Sequence, residues 1–315
     1  MYKKFFGLRE NPFNVNPDPR YLYLTRHIQE ALACLIYGIQ TRKGFVLLTG
    51  EVGTGKTTVL NKLLEWSRQE GIATAFMFNP RLSEVEFFDF MLADFGIPSE
   101  SPLKSRTLLK LNRWLLEQHQ RGSRAILIVD EAQNLSADML EEIRLLTNLE
   151  TSTEKLLQIV LAGQPELEEK VNDPRLRQLR QRITLWAKTR PLTLLETHGY
   201  VKERLRIAGH AGGEIFSPAA IEVVHRHAGG IPRIINLLCE HALIGAFVEH
   251  SKIVSEKMVE EVACDFDLQE ANREAPEVSN SGGHPVLVDH PVPQNVKPSS
   301  MSFTKAAGGK EELIR

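Results

Sequence analysis

Two short stretches of this chain carry residue types that could do chemistry together. The first, Gly50-Glu51-Val52-Gly53-Thr54-Gly55-Lys56-Thr57, followed by Thr58, satisfies the pattern G-x-x-x-x-G-K-[ST]. Its glycines let the backbone turn tightly and bring successive N–H groups against phosphate oxygens, with no Cβ in the way. A helix beginning near Gly55 adds free N–H groups and a positive dipole end. Lys56 then reaches the β- and γ-phosphates, and the Thr57 hydroxyl serves as a Mg²⁺ ligand. The second stretch, Ile126-Leu127-Ile128-Val129-Asp130-Glu131, is a hydrophobic run that ends in two acids. Asp130 suits a magnesium ligand, directly or through water, and Glu131 suits the acceptor of a proton from an attacking water. Together the two stretches point to hydrolysis of a nucleoside triphosphate.

That chemistry needs elements that bring the stretches together. Phe45-Val46-Leu47-Leu48-Thr49, ahead of Gly50, is a short apolar run of the kind buried on both faces of a sheet. Ile28, Ala31, Leu32, Leu35, Ile36 and Ile39 recur at helical spacing before it. After it, helical and apolar stretches alternate: a helix over about 56–69, a strand over 72–78, and helices around 85–95 and 105–120. Strand 125–129, a helix from 137 to about 148, and strands 156–162 and 183–189 complete the series. Strands alternating with helices mean an α/β fold with a parallel sheet covered on both faces. In such a sheet the C-terminal strand ends face the ligand crevice. One magnesium–triphosphate touches both stretches if the first and third strands lie side by side, with tips within about 10 Å.

The remainder divides by composition. Residues 1–24, rich in Pro, Asn and aromatics, read as an irregular arm whose aromatics around 11–23 either line a base pocket or pack in the core. Residues 25–191 hold the alternating pattern, and 192–267 read as helices only, with Ser217-Pro218 as a helix start. From 268 to 315 apolar periodicity is lost, and a disordered tail is expected. The 38 Lys+Arg against 40 Asp+Glu give a net charge of −2, so no global basic field pulls the chain onto nucleic acid. Cys34, Cys239 and Cys264 lack paired spacing and read as reduced, buried small hydrophobes. No run of about 18 apolar residues and no secretory signal is found, so the expected compartment is cytoplasmic.

With both motifs and the helical C-terminal part in view, the chain resembles the AAA+ ATPases. Within them, Phe5-Phe6-Gly7-Leu8, Asn11-Pro12-Phe13, Pro17-Asp18-Pro19-Arg20, Asp130-Glu131-Ala132-Gln133-Asn134-Leu135, Gly163-Gln164-Pro165-Glu166-Leu167 and Gly230-Ile231-Pro232-Arg233 resemble the general secretion pathway protein A (ExeA-type) family. That family is close to the ATPases that regulate transposition, and the resemblance covers roughly residues 1–267. It implies a P-loop sheet in the order 5-1-4-3-2, with ATP and Mg²⁺ held between it and a C-terminal helical lid. Gln164 matches a polar position that orients the attacking water. Arg233 matches a lid arginine that reaches the γ-phosphate. Asn79 matches a position from which some relatives restrain the base. Arg175, Arg177, Arg180 and Arg182 stand where such proteins carry an arginine that completes a neighbouring subunit's site. Arg182 is favoured, then Arg177, and the role implies a homo-oligomer.

Three functions follow as expectations. The first is a Mg²⁺-dependent ATPase whose turnover drives or times assembly, linked to a secretion pathway. Relatives tied to the cell envelope carry a membrane span and a peptidoglycan-binding domain after the ATPase region. Here the tail stands in their place, so the link implies a separate, membrane-bound partner. The second is an ATP-gated scaffold on duplex DNA, supported by the basic residues from Arg175 to Arg190. The third is a small-molecule kinase, disfavoured because Glu131 beside Asp130 suits water activation.

Overall fold

The computed structural model describes residues 2–78, 82–98 and 103–268. Five strands form one parallel sheet: β1 (Phe45–Thr49), β2 (Ala73–Met77), β3 (Ala125–Val129), β4 (Leu157–Gly163) and β5 (Ile183–Lys188). Their order, 2-3-4-1-5, is the expected one. One expectation is corrected: β1 and β3 are not side by side, because β4 pairs with both. The stretches still meet. All strands run the same way, so the turns after β1 and β3 leave by the same edge and flank the tip of β4.

Helices α1 (Tyr2–Phe5), α2 (Arg26–Gln40), α3 (Lys56–Gln69), α4 (Glu84–Asp94) and α5 (Lys104–Gln120) come first in the chain. They are followed by α6 (Ala137–Leu146), α7 (Pro165–Val171) and α8 (Arg177–Arg182). The last two are only 7 and 6 residues long, too short to give a periodic apolar signal. Alternation along β1 divides the core. Phe45 and Leu47 join Phe87, Met91, Leu111, Leu140 and Leu179 on one face, and Val46 and Leu48 join Leu35, Leu60 and Leu63 on the other. Each fully buried aliphatic side chain contributes about 1.5–3 kcal/mol.

Beyond β5, α9 (Leu194–Ile207), α10 (Pro218–Ala228), α11 (Pro232–Val248) and α12 (Glu256–Asp265) pack around a core of their own. Thr193 and Glu196 close a capping box that starts α9, and Ser217 caps α10 ahead of Pro218. The arm belongs to this core. Phe6, Leu8 and Phe13 are buried in it, and Tyr2 and Asn11 both donate to Glu240 Oε1 on α11, at 2.8 and 2.9 Å. Apart from α1, the arm's regular structure is a 3-10 turn at Pro19–Tyr21, begun by the Asp18 side chain. Gly230 (φ +74°) lets the chain press against Leu192, whose N–H donates to the Gly230 carbonyl at 2.8 Å. A Cβ there would stand 2.1 Å from the Leu192 carbonyl oxygen.

All three cysteines are free, but only Cys239 is fully buried; Cys264 is exposed and Cys34 half-buried. The expectation of three buried thiols is corrected, since Cys264 falls outside the stripe (Val259, Ala263) that α12 buries. Among the described residues no helix is long and apolar enough to cross a membrane. The expected tail, 268–315, lies outside the described residues except for Leu268.

Candidate functional site

The motif after β1 folds as its residue types require. Gly53 (φ +80°) and Gly55 (φ +97°) take left-handed backbone that side chains disfavour, and α3 starts at Lys56 with Gly55 as its N-cap. A Cβ on Gly53 would meet Arg233 Cβ at 2.8 Å, and one on Gly50 would meet Thr189 Oγ1 at 2.0 Å. The turn is pinned by Thr54 Oγ1, which donates to the Glu51 carbonyl and lies 2.7 Å from Thr189 Oγ1. Lys56 is buried and its ammonium donates to the Gly50 and Glu51 carbonyls at 2.8 and 3.0 Å. Burial pushes its pKa down, against the pull of Glu131 and Asp130.

The acid pair sits beside this turn. Thr57 Oγ1 donates to Asp130 Oδ2 at 2.9 Å, and the Glu131 N–H donates to Asp130 Oδ1 at the same distance. Burial raises the Asp130 pKa, an effect those two donors oppose. Glu131 is a non-glycine residue in left-handed backbone, at φ 52°. Its Oε2 accepts from Gln133 Nε2 at 2.5 Å and from Gln164 Nε2 at 3.2 Å. Gln133 Oε1 accepts in turn from the Gln164 N–H at 3.2 Å. Lys170 of α7 fixes the turn below by donating to the carbonyls of Gln133 and Leu135.

A cavity of about 410 Å³ opens from the glycine turn. At one end stand Val52 to Thr58, Glu131 and Arg233, whose own N–H donates to the Gly53 carbonyl at 3.3 Å. At the other stand the arm from Asn14 to Asp18, Tyr21 to Tyr23, and Tyr200, Arg204 and Asn236. Of the arm's aromatics, Tyr21 both lines this cavity and is buried, while Phe13 packs in the helical core. The glycine cradle and the neighbouring hard oxygens of Thr57 and Asp130 fit a magnesium–polyphosphate.

The expected residues gather here, apart from the four arginines before β5 and Asn79. Arg182 lies at the opposite edge of the sheet, beside Ile183, which pairs with Phe45 at the start of β1; its Nη1 donates to Thr147 Oγ1 at 2.7 Å. Arg177 and Arg180 are exposed on α8, and exposed Arg175 pairs with Asp173. Asn79 lies outside the described residues. Gln133, Tyr200, Arg204 and Asn236 carried no expected role at the site. Gln133 lay inside the Asp130–Leu135 stretch of the resemblance, with nothing to mark it apart from its neighbours. Arg204 did leave a signal: a charge at i+4 from Tyr200, inside the buried stripe Tyr200, Val201 and Leu205.

Residues 39–171 match the AAA domain family. Over 256 residues, 81% of this chain, the sequence is 48% identical to general secretion pathway protein A of Aeromonas hydrophila, and it spans 46% of that relative's length. The fold is similar to that of the ORC2 protein of Aeropyrum pernix in its ADPNP–ADP complexes (TM-score 0.61, 15% identity, 81% of this chain and 71% of that one). It is also similar to Cdc6p of Pyrobaculum aerophilum (0.61, 17%, 84% and 70%). Drosophila ORC bound to DNA is a third similar structure (0.55, 19%, 82% and 67%). With the glycine cradle, the acid pair and the 2-3-4-1-5 sheet, these findings give the chain an AAA domain and the AAA+ P-loop fold, and make it similar over most of its length to general secretion pathway protein A.

Proposed function

We propose that this chain is a Mg²⁺-dependent ATPase that turns over as a homo-oligomer, and that turnover drives or times an assembly linked to a secretion pathway. The observation that carries the proposal is the 2.9 Å bond between Thr57 Oγ1 and Asp130 Oδ2, which joins the cradle to the acid pair across an intervening strand. In this reading residues 25–191 form the nucleotide domain and 192–267 the lid. The triphosphate lies on the N–H groups of residues 51–57, with Gly50 giving the close approach, and the base lies toward the arm. Lys56 leaves its carbonyl partners to meet the β- and γ-phosphates. Thr57 and Asp130 hold Mg²⁺, which when bound neutralises charge on the phosphate oxygens.

Glu131 takes the proton of a water that attacks the γ-phosphorus, as the bond to the β–γ bridging oxygen breaks and ADP leaves. The Gln133 and Gln164 amides fix one carboxylate oxygen of Glu131 and leave Oε1 for the water. Arg233, on the first turn of α11, faces the γ-phosphate from the lid. No residue of this edge comes from α8, so Arg182, or failing it Arg177, serves a neighbouring copy. The test is ATPase rate per subunit against protein concentration: it rises with concentration if sites are completed in trans, and a flat profile refutes the oligomeric site. Exposed Arg177, Arg180 and Arg190 favour a second reading, an ATP-gated scaffold on DNA. It requires hydrolysis stimulated by duplex DNA and lost steeply with salt.

A further inference from the structure

We propose that Arg204 is the positioning residue for the nucleobase end of the site: from α9 it clips the arm into the cavity wall and ties that wall to the helix carrying Arg233. The proposal rests on the nucleotide reading above and adds to it the device that shapes the base end. Arg204 is only 6% exposed, and no carboxylate among the described residues lies within ion-pair distance of it; Asp18 of the arm, whose carboxyl its charge helps to hold low, interacts with it without a direct contact. A buried guanidinium with no carboxylate in direct contact is costly unless its N–H groups are well used. Here Nε donates to the Pro12 carbonyl at 2.5 Å and Nη2 to the Asn14 carbonyl at 3.1 Å. One planar fork thus captures two arm carbonyls two residues apart, where Asn14 begins the cavity wall.

The other side of the fork faces the lid. Nη1 donates to Tyr200 Oη at 2.8 Å, and Tyr200 Oη donates to Asn236 Oδ1 at 2.8 Å. Asn236 is three residues beyond Arg233 on α11, one turn along the same helix. The guanidinium also lies 4.6 Å from the Tyr21 ring centroid and 5.3 Å from that of Tyr200. Arm, α9 and α11 are therefore joined where Asn14, Tyr200 and Asn236 line the cavity, one helical turn along α11 from Arg233. None of these bonds touches residues 50–57.

That separation gives the test. With the full chain and Mg²⁺, binding of ATP is compared with binding of inorganic tripolyphosphate, which has the phosphates and no base. Arg204→Ala weakens ATP about tenfold or more, the effect of losing one charge-assisted hydrogen bond, and leaves tripolyphosphate unchanged. Arg204→Lys, which keeps the charge and loses the fork, falls between. Tyr200→Phe removes only the hydroxyl link and weakens ATP about two- to tenfold, again without effect on tripolyphosphate; it decides the matter if Arg204→Ala does not fold. Equal weakening of both ligands, or of neither, overturns the proposal. A wild-type chain that binds neither ligand takes down the nucleotide reading, and this inference with it.

Discussion

The two ends of the cavity are built in opposite ways. The cradle end is one contiguous octapeptide plus the tips of β3 and β4, and its bonds run between residues fixed by the sheet. The arm end joins residues 12–23 to α9 and α11, nearly two hundred positions along the chain, through one buried arginine and a tyrosine–asparagine pair. Backbone N–H groups suffice to bind phosphate, so a local turn does the work at the first end. Recognition of a base needs walls of defined shape, and in the proposed reading those walls come from an arm held by packing into the helical core and by the Asn61 amide on the Pro17 carbonyl. The difference implies two separable binding energies, one carried by the sheet and one by the docked arm.

The sharpest break in that comparison tests the cradle end from outside. Arg182→Ala is expected to cut ATPase rate by about 10³–10⁵, as for arginines supplied in trans. Mixing it with Glu131→Gln subunits restores part of the rate, because each supplies what the other lacks. A mixture no faster than its components assigns the role elsewhere, to Arg177 first. Next, Glu131→Gln lowers turnover by about 10²–10⁴ with ATP binding kept, whereas Lys56→Ala loses ATP and tripolyphosphate alike. Ordinary turnover in Glu131→Gln means another group is the base.

The arm end is probed by stability. Phe13 is buried against Phe216, with ring centroids 5.9 Å apart. Phe13→Ala leaves a cavity in the helical core and costs about 3–5 kcal/mol, read as a lower midpoint in urea unfolding. If ATP affinity falls in that variant more than tripolyphosphate affinity, the two binding energies are indeed separable. The smallest expected effect is Gly230→Ala, where a left-handed residue meets the Leu192 carbonyl; about 1–3 kcal/mol is expected from the backbone strain, by the same measurement. Unchanged stability there means the contact between Leu192 and Gly230 yields readily.

Legibility followed the same division. Gly50 to Thr57, Asp130 and Glu131 were readable because each role is set by residue type at fixed local spacing. The strands β1, β3 and β4 were readable because burial on both faces leaves uninterrupted apolar runs. Helices α7 and α8 escaped because 7 and 6 residues hold no period, and Gln133 because an amide near a carboxylate has no spacing rule. The adjacency of β1 and β3 was misjudged for a related reason: each apolar run shows that it is buried, and none shows which neighbour it pairs with.

By itself, then, the sequence determined a parallel α/β sheet with a phosphate-binding turn and an acid pair, since hydrophobic period and backbone conformational preference act within a few residues. That β4 stands between the two motif strands came from the resemblance and not from residue spacing, and tertiary structure alone decided that the arm is part of the helical core and that Arg204 reaches its carbonyls. Those arrangements depend on contacts between distant residues whose energies come from shape and burial, and linear spacing does not encode them.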